Sequence, residues 1–239
     1  SEQSLFEAGL HCFLEEGEIG TYPRVDKSLL TEEEQELELQ YADRHIYAVG
    51  HGAAVDWAVE QDLVKEIWSD FLPAIEVPQV TANVGGEGNS VLGLAHLAEG
   101  KDEAGMSDDA LDELDLFVAD YSSWVSGQNK VTVGLEPDEQ VTAERICLRM
   151  DTALGRMQRG VSLLRTDSRA ALSFRLANQA MLNQMRQSDL VLGKTREEGD
   201  YAWRPFQLAF LLTVIESAIN EDDDFRDTVD LIWFPTGGG

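Results

Sequence analysis

Three groups of residues have types and spacings that could do chemistry. The first closes the chain. An apolar run, Val229-Asp230-Leu231-Ile232-Trp233-Phe234, leads into Pro235-Thr236-Gly237-Gly238-Gly239. An apolar strand entering a glycine-rich turn is how a phosphate-binding loop begins. The glycines let backbone N–H groups close around a phosphate, and the next helix offers its positive end. The full pattern is G-x-x-x-x-G-K-[ST]. Gly239 takes the place of its last glycine, and the Lys and Ser/Thr that would follow are not among the 239 residues. A flexible tail is the alternative, but Pro-Thr after a buried-type strand is not linker composition. The second group is His45, His51 and Asp56, a conceivable metal set. No H-x-x-x-H pair shares a helical face, and Gly50 and Gly52 around His51 suit a tight turn better, so a small metal-dependent enzyme ranks last. The third group is Arg145, Arg149 and Arg156. Spacings of four and seven place them along one face of a straight helix. Arginine grips phosphate with a two-pronged fork and stacks on bases, so the three are candidate DNA contacts. Ion pairing with the chain's own acidic surface is the open alternative.

The charge balance explains why that alternative matters. The chain has 45 acidic and 18 basic residues, a formal net charge of −27. Thirteen of the basic residues are Arg and five are Lys. Residues 1–140 hold 31 acidic and 6 basic side chains, residues 141–196 hold 10 basic and 4 acidic, and residues 197–239 hold 10 acidic and 2 basic. An acid-rich, Lys-poor surface suits molar salt, where screening shrinks to about 3 Å and self-repulsion costs little. A halophilic source, an archaeon, is the expectation. Hydrophobic content of 43% with periodicity throughout excludes a disordered acidic tail. No apolar run is long enough to span a membrane, and Ser1 to Phe6 is not a secretory signal, so a cytoplasmic protein is expected. Both ends read as cuts in a longer protein. Cys12 and Cys147 fit no metal spacing and read as reduced thiols.

These residues need elements to hold them. Residues 5–22 read as one or two strands with turns at Gly17 and Gly20. Thr31-Glu32-Glu33-Glu34 is a capping box, predicting a helix to about His45 with Leu37 and Tyr41 facing inward. Residues 65–80 read as extended. Residues 83–105 read as a loop containing a short apolar run, Val91 to Leu97. Ser107-Asp108-Asp109 starts a helix with an apolar stripe of Leu111, Leu114, Phe117, Val118, Tyr121 and Val125. Its carboxylates lack a positioned partner and read as solvated surface. Pro137-Asp138 opens a long helix with Ile146, Met150, Ala153, Met157, Val161 and Leu164 inward. Asp167-Ser168 caps the next, with Leu172, Leu176, Ala180 and Met185 expected on its core face. The short turn between them predicts an antiparallel helical hairpin. Gly193 to Gly199 is a charged linker, and Pro205 suits the first turn of a helix reaching Asn220.

Five segments together carry a family resemblance. They are Tyr47-Ala48-Val49-Gly50-His51-Gly52 with Asp56-Trp57; Phe71-Leu72-Pro73-Ala74 with Glu76-Val77-Pro78; Phe174-Arg175-Leu176-Ala177-Asn178-Gln179-Ala180-Met181; Trp203-Arg204-Pro205-Phe206-Gln207-Leu208-Ala209-Phe210; and Asp230 to Gly239. The set resembles the DrmA family, the large superfamily 2 helicases of the DISARM phage-defence system. The likeness covers most of residues 45–239 and is most specific in the last two segments. In superfamily 2 motors an Arg-Pro-aromatic-Gln segment opens a helix upstream of a loop like Ala-Pro-Thr-Gly-x-Gly-Lys-Thr. Pro235, Thr236, Gly237 and Gly239 match that loop; Phe234 stands where a small residue is usual. The resemblance implies that Arg204 and Gln207 contact adenine and that Pro235, Thr236, Gly237, Gly238 and Gly239 contact phosphates.

The reading that follows is an α+β, predominantly α-helical chain: a helical hairpin plus small β elements, ending at the first strand and phosphate loop of a RecA-like lobe. The expected domains are an acidic one over 1–140, a basic hairpin and linker over 141–200, and the start of the ATPase lobe over 201–239. The resemblance implies the N-terminal region of an ATP-dependent DNA helicase or translocase that acts on foreign DNA with a partner subunit. It implies ATP and Mg²⁺ in the full-length protein and no catalytic residue or cofactor in this stretch alone. The alternative is a protein-interaction module with no nucleotide role.

Overall fold

The computed structural model describes residues 9–70, 92–103 and 105–231. The fold is mostly helical with one small antiparallel sheet. The chain divides into two compact units, Ser1–Pro78 and Gln79–Gly239.

In the first unit β1 (His11–Phe13), β2 (Ala54–Glu60) and β3 (Leu63–Asp70) form a sheet ordered β1-β3-β2. Its register places His11 opposite Trp68 and Trp68 opposite Asp56. The β2–β3 hairpin turns on Gln61 and Asp62, both at positive φ (51° and 64°), the turn that matches strand twist. Helix α1 (Glu32–Gln40) begins at the expected capping box: the Thr31 amide donates to Glu34 Oε2 at 2.8 Å, and the Glu34 amide donates to Thr31 Oγ1 at 3.3 Å. The helix stops at Gln40 rather than His45, and Leu37 and Tyr41 are exposed rather than inward. Its sequence, EEEQELELQ, has too few apolar residues to make a buried stripe. Among the described residues of this unit only Val64 is fully buried.

The second unit holds the core. Helix α2 (Leu94–Ala98) lies where a loop was expected; its Leu94 and Leu97 are buried, and packing rather than propensity makes so short a helix. Helix α3 (Asp108–Thr132) starts at Ser107, whose hydroxyl accepts from the Ala110 amide at 3.1 Å. Leu111, Leu114, Val118 and Val125 form its buried stripe, as the spacing predicts. Helix α4 (Pro137–Thr166) opens on Pro137 and buries Met157, Val161 and Leu164. The charge changes sign at residue 141, inside the first turns of α4, and α3 and α4 share one core.

One residue, Asp167, joins α4 to α5 (Ser168–Leu192), and its carboxylate accepts from the Arg169 and Ala170 amides. The core face of α5 is Ala170, Ala171, Phe174, Asn178 and Leu182, not the expected Leu172, Leu176 and Ala180. Leu176 is 59% exposed. Apolar residues occur on several faces of α5, so periodicity alone permits more than one stripe. Met185 is partly buried against a second cluster of Leu94, Leu182 and Tyr201. Gly193, at φ +64°, ends the helix in the left-handed region. Helix α6 (Pro205–Ile219) packs on α4, and α5 carries α2. Gly160 of α4 sits against the α6 backbone: a Cβ there would run into the Leu212 carbonyl.

Among the described residues no helix is long and apolar enough to cross a membrane. Cys12 is exposed and Cys147 buried, both as free thiols.

Candidate functional site

Two of the resemblance-bearing segments meet at the start of α6. The Trp203 amide donates to the Leu92 carbonyl at 2.8 Å, and the Leu94 amide donates to the Tyr201 carbonyl at 2.9 Å. This bridge, centred on Gly93 and Ala202, ties the approach to α6 onto α2. The Trp203 indole N–H donates to Asn178 Oδ1 at 2.8 Å, and Asn178 Nδ2 donates to the Phe174 carbonyl at 2.8 Å. Asn178 is 1% exposed, so its bond to Phe174 lies out of water and its bond to the partly buried indole is largely shielded. We predict that Asn178→Ala, which leaves the indole donor unpaired, costs about 1–3 kcal/mol. Thermal unfolding checks this; a loss below about 0.5 kcal/mol would mean that water replaces the amide.

The next residue after Trp203 is Arg204, exposed at the N-cap of α6, with Pro205 in the first turn. Gln207 Oε1 accepts from the Arg204 amide at 2.9 Å. This is half of a capping box, because an arginine side chain has no acceptor to return the bond. Arg204 and Gln207, the two residues assigned to adenine, therefore stand one turn apart at the positive end of an apolar helix. Pro235, Thr236, Gly237, Gly238 and Gly239, assigned to phosphates, lie outside the described residues, as does the segment 71–78. Of the expected strand, the described residues Val229, Asp230 and Leu231 are irregular and mostly solvent-facing.

The chain between α6 and that stretch is held on α4. Arg226 Nη1 donates to the Ser217 and Ala218 carbonyls, both at 2.8 Å, closing the C-terminal end of α6 with a cation. The Asp223 carboxylate accepts from the Phe225 amide at 2.8 Å, turning the acidic loop back. The Phe225 ring lies under Arg156, 4.4 Å from its guanidinium carbon, and 5.8 Å from that of Arg159. Arg156 then takes Asp230 in both hands: Nη1 to Oδ1 at 2.6 Å and Nη2 to Oδ2 at 2.8 Å. The bonds hold the Asp230 carboxyl below the ordinary aspartate range and raise the Arg156 guanidinium further. Arg159 Nε donates to Glu216 of α6 at 2.6 Å.

The three DNA-contact candidates thus differ in setting. Arg156 is 6% exposed in an internal ion pair, Arg145 is half-buried and Arg149 exposed. All three lie along one stripe of α4, and the 223–230 segment covers its Arg156 end. Several other arginines of the basic segment also meet the chain's own groups. Arg165 pairs with Asp112 and Asp115, Arg196 with Asp189, and Arg175 donates to the Ala98, Asp102 and Gly105 carbonyls. His45 meets Tyr47 edge-on, and the Asp56 carboxylate accepts from the Trp57 amide. Among the described residues no three His, Cys, Asp or Glu side chains gather as a metal set. Sequence reasoning missed Asn178 and Asp230. A polar residue inside an apolar helical run was the one available signal for the first.

No family model matches the chain. A search of curated proteins finds similarity to the DISARM protein DrmA of Bacillus paralicheniformis, 29% identical over 218 residues. The match takes in 84% of this chain and 19% of that protein, so the chain spans about a fifth of the relative's length.

Proposed function

We propose that the chain is the N-terminal region of a superfamily 2 ATP-dependent DNA translocase acting in phage defence. The observation that carries this reading is the similarity to a DISARM protein across 84% of the chain. The Arg204–Gln207 segment at the head of α6 supports it locally. In this reading Arg204 and Gln207 recognise adenine, and Pro235 to Gly239 begin the phosphate loop. The full loop pattern also calls for a lysine and a Mg²⁺-binding hydroxyl. DNA and a partner subunit are the binding partners, and the setting is cytoplasmic. Arg145 and Arg149 are the α4 residues proposed to meet DNA phosphates.

DNA-stimulated ATP hydrolysis by the full-length protein tests the reading. We expect turnover that rises when duplex DNA is added, and none above blank from the polypeptide ending at Gly239. A full-length protein that binds another protein yet neither binds nor hydrolyses ATP would instead establish the interaction-module alternative.

The charge balance supports a source cell with molar salt. Lowering salt from about 1 M to 0.01 M lengthens screening from about 3 Å to 30 Å. Repulsion among carboxylates then acts across the whole first unit. The melting temperature is therefore expected to climb through a KCl series, and a flat series would contradict a halophilic origin.

A further inference from the structure

We propose that Asn178 is a positioning residue for adenine recognition: through the Trp203 indole it fixes the head of α6, where Arg204 and Gln207 stand. This rests on reading Arg204 and Gln207 as the adenine contacts. Asn178 interrupts the apolar core face of α5, with Phe174 and Leu182 one turn to either side. A leucine there would fill the same space and need no partner. The amide adds direction. Its nitrogen is tied to the Phe174 carbonyl, so its oxygen faces one way and accepts the Trp203 indole N–H. The ring is thereby oriented as well as packed against both apolar clusters. The two residues before it are held too: Tyr201 is buried beside Leu94 and Leu182, and Ala202 pairs with Gly93. Arg204 follows Trp203 by one peptide bond, and Pro205, with its fixed φ, starts α6. A turn of the indole therefore passes to the head of the helix with little slack. There the Arg204 amide donates to Gln207 Oε1 and sets the direction of that side chain. A carbonyl oxygen accepts two bonds, so Oε1 can also take an adenine amino N–H. Guanine carries a carbonyl oxygen in that place, and acceptor facing acceptor is rejected. One side-chain amide reading the base in this way gives a preference for ATP over GTP of about ten- to a hundredfold.

Steady-state hydrolysis of ATP and of GTP by the full-length protein, with thermal unfolding of each variant, tests the assignment. Wild type is expected to favour ATP in kcat/KM. Asn178→Ala is expected to cut that preference by about tenfold, chiefly through KM for ATP. The double change Asn178→Leu with Trp203→Phe removes both polar partners, so its melting temperature stays near wild type while the preference still falls. Leu114→Ala, a core truncation on α3, lowers the melting temperature and leaves the preference in place. An unchanged preference in both Asn178 variants, with Gln207→Ala losing it, would overturn the positioning role and leave the adenine reading standing. The same loss in Leu114→Ala would reduce Asn178 to general stability. A wild type that uses ATP and GTP alike, or a Gln207→Ala protein with full preference, would remove the adenine reading and this proposal together.

Discussion

Replacing Gly160 by valine lowers the stability of the helical unit by about 3 kcal/mol, the upper part of the range for overpacking a closed interface. The cost is high because the neighbour is backbone. An added Cβ meets the Leu212 carbonyl and then the Ile215 side chain, and a helix carbonyl cannot rotate aside as a side-chain tip does. Either α6 moves away from α4 and uncovers Leu208 and Leu212, or α4 bends. For a unit of this size the melting temperature falls by about 6–12 °C. Gly155, also on α4, is the internal control. A Cβ there comes no nearer than 3.8 Å, to the Arg159 guanidinium, so Gly155→Ala gains helix propensity and stabilises by up to about 1 kcal/mol. Equal losses at the two positions would show that Gly160 matters for helix flexibility rather than for the α4–α6 approach.

The second large effect is expected at Asp230. Asp230→Ala leaves the Arg156 guanidinium, 6% exposed, without its counter-charge. Removing one partner of a buried pair costs about 3–5 kcal/mol. The Asp230 side chain is 24% exposed, which admits some water and places the loss near 3 kcal/mol, the low end. The contrast is Asp112→Ala. Arg165 keeps Asp115 there and all three side chains are substantially exposed, so the change is below about 0.5 kcal/mol. Urea unfolding of the two variants separates them. The double change Arg156→Met with Asp230→Leu should recover most of the loss, because it removes the desolvation cost along with the attraction. A double variant as unstable as Asp230→Ala would indicate that bond geometry, not the stranded charge, carries the effect. The pair also has a defined pH signature. Asp230 is held below its unfolded value by Arg156, so its contribution is fully present above the unfolded aspartate pKa of about 3.9 and fades as pH falls through the lower folded value. Arg156 stays charged throughout, so no loss is expected at neutral or mildly alkaline pH from this pair.

The helix starts are the part of this protein that its sequence determined alone. Thr31 with Glu34, Ser107, Pro137, Asp167 and Pro205 each begin a helix where their chemistry says, because a cap is completed within about three residues of itself. The α3 stripe was legible for the same reason: six aligned apolar positions admit one inward face, and four of them, Leu111, Leu114, Val118 and Val125, are buried. The placement of Arg204 and Gln207 at the head of α6 followed from Pro205 in the same way. Tertiary structure decided the rest. Which side of α5 turns inward depends on Trp203, whose indole gives Asn178 a partner and makes a buried amide affordable. Four apolar residues around His96 become helix α2 because α5 covers them. Arg156 on α4 is buried because Asp230, 74 residues later, returns to neutralise it. Local hydrogen bonds close within a turn of chain and are written in the order of residues. A partner 74 residues away is chosen only when packing brings two helices and a returning loop to one place.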